Sequence, residues 1–370
     1  MPKILFVALH RPNRSPSQRF RYEQYLDYLN ENGFTYDFSY IINADDDKKF
    51  YGAGNYLSKL QILIKSFFIR FQDIIHANNY DIIFVQREAL MLGTAFFEKM
   101  YAKSKAKLVF DFDDSIWLHT ISDANKALGF LKSGNKTKEI IAVADMIFAG
   151  NQYLANYALQ FNENVKIVPT TVDTDKFKPE NGINELNNKF DTNKIVEIGW
   201  TGSFSTIEHL RFGLPILYKI KEKYADKISF KVIGDANFSD TILNIRGIAW
   251  NSETEVADLQ SIDIGIMPLP NDEWTQGKCG FKGLTYMSLA IPTIMSAVGV
   301  NNEIIKDGEN GFLATTETEW IEKLSLLIDN ALLRQKIGLA GRETVIAKYS
   351  IHAQKENYVK YFREILGSNA

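Results

Sequence analysis

Residues 194–203, Lys-Ile-Val-Glu-Ile-Gly-Trp-Thr-Gly-Ser, contain the pattern that decides the fold. The apolar run predicts a strand near 194–200, and the glycines after it lead into a stretch of helical spacing near 205–224. Further strands are predicted near 228–234, 244–249, 263–267 and 292–296, with helices near 253–260 and 281–290. Strands that alternate with helices in this way predict a doubly wound parallel sheet.

The same alternation occupies the N-terminal half of the chain. Short aliphatic runs predict strands at 4–9, 34–42, 81–85, 107–112, 146–149 and 165–168. Stretches of helical length lie between them, at 17–32, 56–78, 88–103, 136–144 and 151–161. Nearly continuous apolar strands are typical of sheets that are covered on both faces. We therefore predict an α/β fold with two Rossmann-like, doubly wound domains that face a central cleft.

A polar segment at 179–193 separates the two sets of strands and has the composition of a linker. It gives an N-terminal domain at 1–180 and a C-terminal domain at 194–350.

From residue 316 onward helical periodicity dominates, with breaks predicted at Gly338, Gly341 and Tyr349. The final helix, at 352–368, has an apolar face that needs burial against a neighbouring domain.

Composition excludes several classes of protein. Lys plus Arg number 42 and Asp plus Glu 45, and neither half is strongly basic. The chain therefore lacks the positive charge that is typical of proteins that bind nucleic acid. The single cysteine, Cys279, excludes an internal disulfide and a cysteine-based zinc cluster. No apolar run approaches the roughly 18 residues of a membrane span, and the run at 4–9 is too short for a signal peptide. We expect a cytoplasmic protein.

Ligands of open α/β sheets bind beyond the carboxyl ends of the strands, so the loops there are the candidate sites. The loop after the first strand carries Arg11, Arg14, Arg19 and Arg21, and arginine favours phosphate and carboxylate groups. The alternative is a solvated basic loop that opens a helix. The loop lacks a G-x-G-x-x-G fingerprint, which removes the main support for a dinucleotide enzyme.

Asp111, Asp113 and Asp114 follow the strand at 107–112, and three neighbouring like charges need a function. An Asp-x-Asp after an apolar strand can hold a metal-bound nucleotide in single-domain glycosyltransferases. With Ser115, the pattern is also similar to the nucleophile motif of haloacid-dehalogenase-type phosphatases. The third interpretation is a polar edge that orients sugar hydroxyls or acts as acid or base. A purely structural cap of the next turn is the alternative to all three.

Two weaker signals, Asn151 and Thr170, follow the strands at 146–149 and 165–168 and place small polar groups at strand ends. A turn or cap role is their default interpretation.

The C-terminal domain has the densest set of candidates. Gly202 and Ser203 follow a strand and open a helix, so their backbone N–H groups are candidates for holding a phosphate. Gly234 and Asp235 end the next strand, where a base or ribose could bind. The remaining candidates for holding such a ligand lie just before or within the helix at 281–290: Trp274, Gly277, Lys278, Gly280, Phe281, Lys282 and Thr285. Lys282 lies in the first turn of that helix, where a bound anion would offset the unfavourable dipole.

The blocks at 280–294, 298–305 and 307–313 resemble the nucleotide-sugar motif of glycosyltransferase family 4. The resemblance implies a GT-B fold and retaining transfer from a nucleotide-diphosphate sugar that the C-terminal domain holds. It also implies no required metal or other cofactor, and a final helix that packs back on the N-terminal domain.

The chain departs from that family at positions that matter. The paired glutamates of the family would align with Gly277 and Thr285, and both are missing. Trp200-Thr201-Gly202-Ser203 replaces the arginine that usually precedes the paired lysine, and the Arg-rich loop replaces a glycine-rich one. We interpret the chain as a divergent branch.

From these residues we predict transfer of a hexose-type sugar to a glycan, lipid-linked or similar acceptor. Lys282 would neutralise the leaving diphosphate, with Asp111, Asp113 and Asp114 as the catalytic carboxylates. Arg11, Arg14, Arg19, Arg21, Asn151 and Thr170 would face the acceptor. The alternatives are a non-catalytic sugar or nucleotide-sugar binding protein and an Asp-x-Asp phosphatase.

The helix at 56–76 has an apolar face wider than one core contact needs, interspersed with Lys59, Lys65 and Arg70. We weigh a helix at the inner membrane surface against an ordinary core helix.

Overall fold

The computed structural model describes residues 1–51, 54–118, 134–179, 195–203 and 206–367. The predicted linker at 179–193 therefore lies almost wholly outside the described residues. The chain divides into two compact units: unit 1 is Met1–Thr170 with Gln354–Ala370, and unit 2 is Thr171–Ala353. Each unit contains one all-parallel sheet, so the α/β prediction is confirmed.

Unit 1 contains a six-stranded parallel sheet in the order β2-β1-β3-β4-β5-β6. Its strands are β1 (Lys3–His10), β2 (Thr35–Ile42), β3 (Ile82–Gln86), β4 (Lys107–Phe112), β5 (Met146–Ala149) and β6 (Val165–Ile167). Its helices are α1 (Pro16–Arg19), α2 (Leu26–Glu31), α3 (Ala44–Tyr51), α4 (Tyr56–His76), α5 (Phe96–Tyr101), α6 (Asn135–Val143) and α7 (Gln152–Ala158). Short 3₁₀ turns occupy Glu23–Tyr25 and Ala77–Asn79. The central strands β3 and β5 are buried along their whole length, as continuous apolar runs require.

Unit 2 contains a five-stranded parallel sheet in the order β13-β12-β11-β7-β8. Its strands are β7 (Val196–Thr201), β8 (Ile228–Ile233), β11 (Ile264–Met267), β12 (Thr293–Ser296) and β13 (Phe312–Ala314); β9 (Ser239–Asp240) and β10 (Ile245–Arg246) form a separate antiparallel pair. The first helices are α8 (Ile207–Tyr224), α9 (Glu255–Gln260), α10 (Glu273–Gln276), α11 (Phe281–Ser288) and α12 (Asn301–Ile304). The later ones are α13 (Glu317–Asp329), α14 (Ala331–Thr344) and α15 (Ile351–Ile365), with a 3₁₀ turn at Ala225–Lys227 and a π-helical turn at Val345–Tyr349.

The final helix, α15, passes from unit 2 into unit 1, where its aromatic face is buried. Tyr358 stacks on Tyr25 with ring centroids 4.3 Å apart. Phe362 lies parallel to Phe148 at 5.9 Å and is fully buried. This contact removes the apolar face of α15 from water.

Several predicted elements differ in the structure. The stretch at 17–32 divides into α1, a 3₁₀ turn and α2, and the helix predicted at 88–103 covers only α5. The strand predicted at 244–249 is the short β10 outside the main sheet, while β13 and α3 were not predicted.

The breaks predicted at Gly338 and Gly341 are wrong, because both glycines lie inside α14. The interruption falls at Asn330, whose side chain accepts a hydrogen bond from Leu333 N and caps α14. Glycine at 338 serves close packing instead, since a Cβ there would lie 2.1 Å from the Ala290 carbonyl oxygen. The break at Tyr349 is confirmed.

Candidate functional site

The candidate site of unit 2 lies where the strand order reverses. Strand β7 pairs with β8 on one side and with β11 on the other. Loops that follow two such strands diverge at their carboxyl ends and leave a crevice, the usual ligand site of open α/β sheets. The loop after β7 leads into α8, and the segment after β11 leads through α10 into α11.

Trp200 lies near the end of β7, where this crevice is expected. Its side chain is 1% exposed, and its indole Nε1 is buried with no hydrogen-bond partner among the described residues. The Lys282 Nζ lies 5.3 Å from the centroid of the Trp200 ring. Gly202 makes room for the indole, because a Cβ at that position would lie 2.4 Å from the ring. A buried N–H without a partner calls for an explanation, and an anion bound near the Lys282 ammonium group is one that the site offers.

Lys282 projects from the first turn of α11. Its helix begins after Gly280, which has a φ of 68°, in the left-handed region that favours glycine. The space there is also tight, since a Cβ at Gly280 would lie 2.3 Å from Ile304 Cδ1. The helix terminus and the half-buried lysine together concentrate positive potential beside Trp200.

The segment before α11 supplies a second cation. The Lys278 Nζ lies 4.7 Å from the centroid of the Trp274 ring. Asp272 caps the short helix α10 by accepting from Thr275 N at 2.8 Å. Gly277, in turn, is buried within this compact segment. The segment is therefore held by its own hydrogen bonds while it presents Lys278.

His209 belongs to the same site and was not predicted from the sequence. It lies in the first turn of α8, and its Nδ1 is buried with no hydrogen-bond partner among the described residues. Burial and the positive charges of Lys282 and Lys278 lower its pKa to about 4, against a smaller opposing effect of Asp272. A histidine held neutral by two lysines has capacity for a proton when an anion arrives.

The loop amides that the sequence predicted as phosphate donors are already bonded. Gly202 N donates to the Ile233 carbonyl at 2.9 Å, and Ser203 N donates to Thr206 Oγ1 at 3.1 Å. The prediction that these two amides hold the phosphate is therefore not supported in this conformation. Among the described residues of this loop, these two amides are thus engaged inside unit 2.

Other residues that the sequence predicted to bind the nucleotide sugar have contacts within unit 2. Gly234 has a φ of 115°, and a Cβ there would lie 1.6 Å from the Gly202 carbonyl oxygen, so this close approach requires glycine. Asp235 accepts from Asn237 N at 3.0 Å and caps the turn after β8. Thr285 is 2% exposed, and its hydroxyl donates to the Lys282 carbonyl at 2.8 Å. Phe281 is half-buried at the start of α11.

In unit 1, Arg21 of the Arg-rich loop neutralises Asp111 of the aspartate cluster. The side chains of Arg21 and Asp111 are fully buried, and Arg21 Nε donates to Asp111 Oδ1 at 3.2 Å. Burial raises the pKa of Asp111 in spite of Arg21. Arg21 also donates to the Val168 carbonyl, and the Tyr358 hydroxyl donates to the Arg21 carbonyl. This burial favours a structural role for the pair over the acceptor and catalytic roles predicted from the sequence.

Asp113 is the more accessible carboxylate of the cluster. It accepts from Ser17 Oγ at 2.8 Å and from Arg87 Nε at 2.9 Å. Burial opposes its ionisation, but Arg87 and Arg21 hold its pKa below the ordinary value. Asp114 lies 3.7 Å from Arg87 Nη2. Arg87, which the sequence did not single out, has a φ of 62° and thus turns the backbone after β3 toward these carboxylates.

The other arginines of the loop make either a salt bridge or an aromatic contact. Arg11 and Arg14 both bond to Asp47 Oδ2, and the Arg14 distance is 2.8 Å. Arg19 lies over the Phe20 ring at 4.9 Å. Next to them, His10 Nε2 lies 3.0 Å from the Tyr51 hydroxyl.

Asn151 and Thr170 differ in the hydrogen bonding of their side chains. Asn151 is 2% exposed and caps α7 by accepting from Leu154 N at 2.9 Å, which is the default role. Thr170 Oγ1 is buried without a hydrogen-bond partner among the described residues. Within those residues there is also no group of three His, Cys, Asp or Glu side chains arranged to hold a metal ion.

Comparisons with known proteins bear on the site of unit 2. Residues 196–330 match the family described as "Glycosyl transferases group 1", and this segment contains Trp200, His209, Lys278 and Lys282. No match is found among curated protein sequences.

Three solved structures resemble the whole chain. Sucrose-phosphate synthase from Thermosynechococcus elongatus is 12% identical with a TM-score of 0.71, and the match covers 100% of both chains. A glycosyltransferase from Rickettsia africae is 17% identical with a TM-score of 0.66, covering 100% of this chain and 99% of that one. Anabaena HepE, in complex with UDP and glucose, is 12% identical with a TM-score of 0.64 over 98% of this chain and 100% of that one. This likeness shows the GT-B fold, with two Rossmann-like domains, and the match over 196–330 supports a glycosyltransferase.

Proposed function

We propose that the protein is a retaining glycosyltransferase that moves a hexose-type sugar from a nucleotide-diphosphate donor to a glycan, lipid-linked or similar acceptor. The observation that carries this proposal is the crevice beside β7, where Lys282, the unpartnered indole N–H of Trp200 and the neutral His209 converge. The crevice lies within the segment that matches glycosyl transferases group 1. UDP-glucose, which is bound in a structure of HepE, is the first donor to test.

The donor diphosphate would bind mainly through side chains. Lys282 and Lys278 supply two positive charges at the start of α11. The diphosphate brings negative charge next to His209, and this change in field favours the protonated imidazole. His209 would then become a third donor to the diphosphate. They would take over the role of the arginine that the family resemblance leads one to expect where this chain has Trp200-Thr201-Gly202-Ser203.

Charge on the leaving diphosphate grows as the glycosidic bond breaks. A contact to Lys282 therefore strengthens in the transition state more than in the ground state, which lowers the barrier. The sugar itself passes through an oxocarbenium-like state, and departure and attack on the same face retain the anomeric configuration. The family glutamates are absent at Gly277 and Thr285, so the sugar and ribose contacts of this chain must come from other residues.

On the acceptor side, the proposal assigns Asp113 and Asp114 with Arg11, Arg14 and Arg19. Asp113 is held ionised by Arg87, which suits it for orienting an acceptor hydroxyl by accepting its hydrogen bond. We assign Arg21, Asp111 and Asn151 structural roles instead, because their side chains are buried and bonded inside unit 1. Thr170 retains a buried hydroxyl for which a ligand is one explanation.

The alternative functions account for fewer of the observed features. A phosphatase nucleophile must reach its substrate, whereas Asp111 is fully buried against Arg21. A sugar-binding protein without catalysis would share the crevice but would leave a bound donor intact. Turnover of the donor separates these two possibilities.

The first experiment is a thermal-shift screen of nucleotide sugars and of nucleoside mono- and diphosphates. A ligand at 100 times its Kd adds about 2.7 kcal/mol to stability, so the cognate donor should stand out. We expect diphosphates to stabilise the protein and monophosphates to do so weakly, because the proposed contacts are to two phosphate groups. Turnover that persists in EDTA would support the GT-B mechanism over a metal-dependent one. Equal shifts for mono- and diphosphates would contradict the diphosphate site.

A further inference from the structure

Helix α4 of unit 1 has an outer face that is apolar along its whole length. Leu57, Leu60, Ile64, Phe68, Phe71 and Ile75 follow one another at intervals of three or four residues, so they share one side of the helix. Each of them is between 46% and 78% exposed. Scattered surface apolar residues are ordinary, but a continuous stripe of this length marks an interaction surface.

The core does not need this stripe, because the opposite face of α4 already anchors the helix. Arg70 is fully buried and donates to the Ala89 carbonyl at 2.6 Å and to the Ala8 carbonyl at 2.7 Å. It also bonds to Ser39 Oγ at 2.6 Å and to Asp73 at 3.0 Å. The helix is therefore fixed on the sheet with its apolar stripe directed outward.

The apolar surface extends onto the next helix. Phe96, in α5, is 44% exposed, and its ring centroid lies 6.1 Å from that of Phe71. Phe71 in turn packs on the buried Phe97 at 5.4 Å. Phe96 thus adds a further aromatic residue beside the C-terminal half of the stripe.

Exposed lysines lie on the segments next to α4. Lys48 and Lys49 are exposed on α3, which packs against α4. Lys103 and Lys105 are exposed after α5, and Lys105 N bonds to Asn78 Oδ1 at 2.8 Å, just beyond the end of α4. Asp45 is an exposed carboxylate on α3.

Two other acidic groups near the stripe are engaged. Asp46 pairs with Lys65 at 2.6 Å, and Asp73 pairs with Arg70. The border of the stripe is therefore mainly basic.

We propose that this surface docks the protein on a lipid bilayer that carries anionic headgroups. The apolar side chains would enter the boundary between headgroups and acyl chains while the lysines meet the headgroup phosphates. A second copy of the chain suits the surface less well. A symmetric dimer would bring two basic borders together, and like charges across an interface oppose association. A stripe one helix wide is also narrow for the roughly 800 Å² per partner of a stable protein interface.

Docking on a bilayer concerns unit 1 alone and is independent of the donor site in unit 2. No helix among the described residues is sufficiently long and apolar to span a membrane, so the contact would be peripheral.

The test is co-flotation of the full chain with vesicles of phosphatidylcholine alone and of phosphatidylcholine mixed with phosphatidylglycerol. We expect binding to the anionic vesicles that weakens as salt is added. Replacing both Ile64 and Phe68 by Ser should lower the partition coefficient by about a hundredfold, because both side chains would leave the lipid. The matched control is Leu332→Ser in unit 2, which is 77% exposed and lies far along the chain on α14. It should bind as the unmodified protein does.

Three results would overturn the proposal. One is absence of binding to anionic vesicles at low salt. Another is an equal loss in the Leu332 control. The third is a concentration-dependent dimer, seen by light scattering, that the Ile64 and Phe68 double substitution abolishes. Melting temperatures and donor turnover of each variant establish that the fold and the unit 2 site are intact.

Discussion

Replacement of Lys282 by Ala should lower turnover strongly while the fold is kept. The ammonium group lies beside Trp200 in a half-buried crevice, where an effective dielectric constant of about 20 applies. A phosphate oxygen about 4 Å away would interact with it by roughly 4 kcal/mol. Loss of one such donor typically costs about 3–4 kcal/mol in the transition state, which is roughly a hundred- to a thousandfold in rate.

The matched control is Lys278→Ala, which removes the same charge from the preceding segment. The Lys278 Nζ lies over the Trp274 ring. Lys278 lowers the pKa of His209 less than Lys282 does. The assay is steady-state transfer or donor hydrolysis for both variants, with melting temperatures recorded alongside. NMR titration of His209 adds a readout that is independent of activity. Its pKa should rise in both variants, and further in Lys282→Ala, since both lysines lower it.

Near-normal turnover of Lys282→Ala would refute the assigned role, and so would a larger loss in Lys278→Ala. An unchanged pKa of His209 in Lys282→Ala would show that the two side chains are not neighbours.

Three further changes test other parts of the structure. The pKa of His209, about 4 in the folded protein against an ordinary 6.5, means that the unfolded chain binds more protons in that interval. Stability should therefore fall as the pH drops from about 6.5 toward 4, and His209→Gln should lessen that fall in denaturant titrations. Asp111→Asn leaves the buried charge of Arg21 without its partner and should cost roughly 3–5 kcal/mol of unfolding free energy, with turnover per folded molecule little changed. Gly234→Ala should destabilise the protein far more than Gly308→Ala, measured by melting temperature, because both glycines have positive φ but only Gly234 lacks space for a Cβ. Equal losses for the two glycines would contradict the close approach of the β7 and β8 loops.

Much of the fold follows from apolar runs alone. Strands β4 and β5 begin and end where the sequence predicts, because their uninterrupted apolar residues leave little doubt about the buried segment. Strand β9 and the edge strand β13 were missed because two or three residues carry no measurable periodicity. Asn330, rather than the glycines of α14, marks the boundary between α13 and α14, because its side chain accepts from Leu333 N and caps the start of α14.

The sites were harder to predict, since their chemistry depends on contacts between distant residues. Arg21 and Asp111 are 90 positions apart and were assigned to separate roles, yet they neutralise each other once β4 lies beside the loop after β1. Gly202 and Ser203 have the pattern of a phosphate loop, but their amides are bonded to Ile233 and Thr206. Lys282 was singled out from its place at a helix start, and its role stays a prediction.

His209 gave no separate signal in the sequence. A lone histidine in a helix is usually unremarkable, and only the nearby lysines and its unpartnered Nδ1 distinguish it. Its position in the first turn after the β7 loop is the one feature that a sequence search for the site could have used.

The most direct test of the central claim is to follow cleavage of the donor that the thermal-shift screen identifies. Proton NMR of that nucleotide sugar, mixed with the purified protein and a panel of candidate acceptors, reports both the released nucleoside diphosphate and the anomeric configuration of the product. We predict release of the diphosphate and a product with retained configuration. In Lys282→Ala, we expect nearly all of this release and product formation to be lost. A donor that binds tightly but stays intact with every acceptor, or a product of inverted configuration, would contradict it.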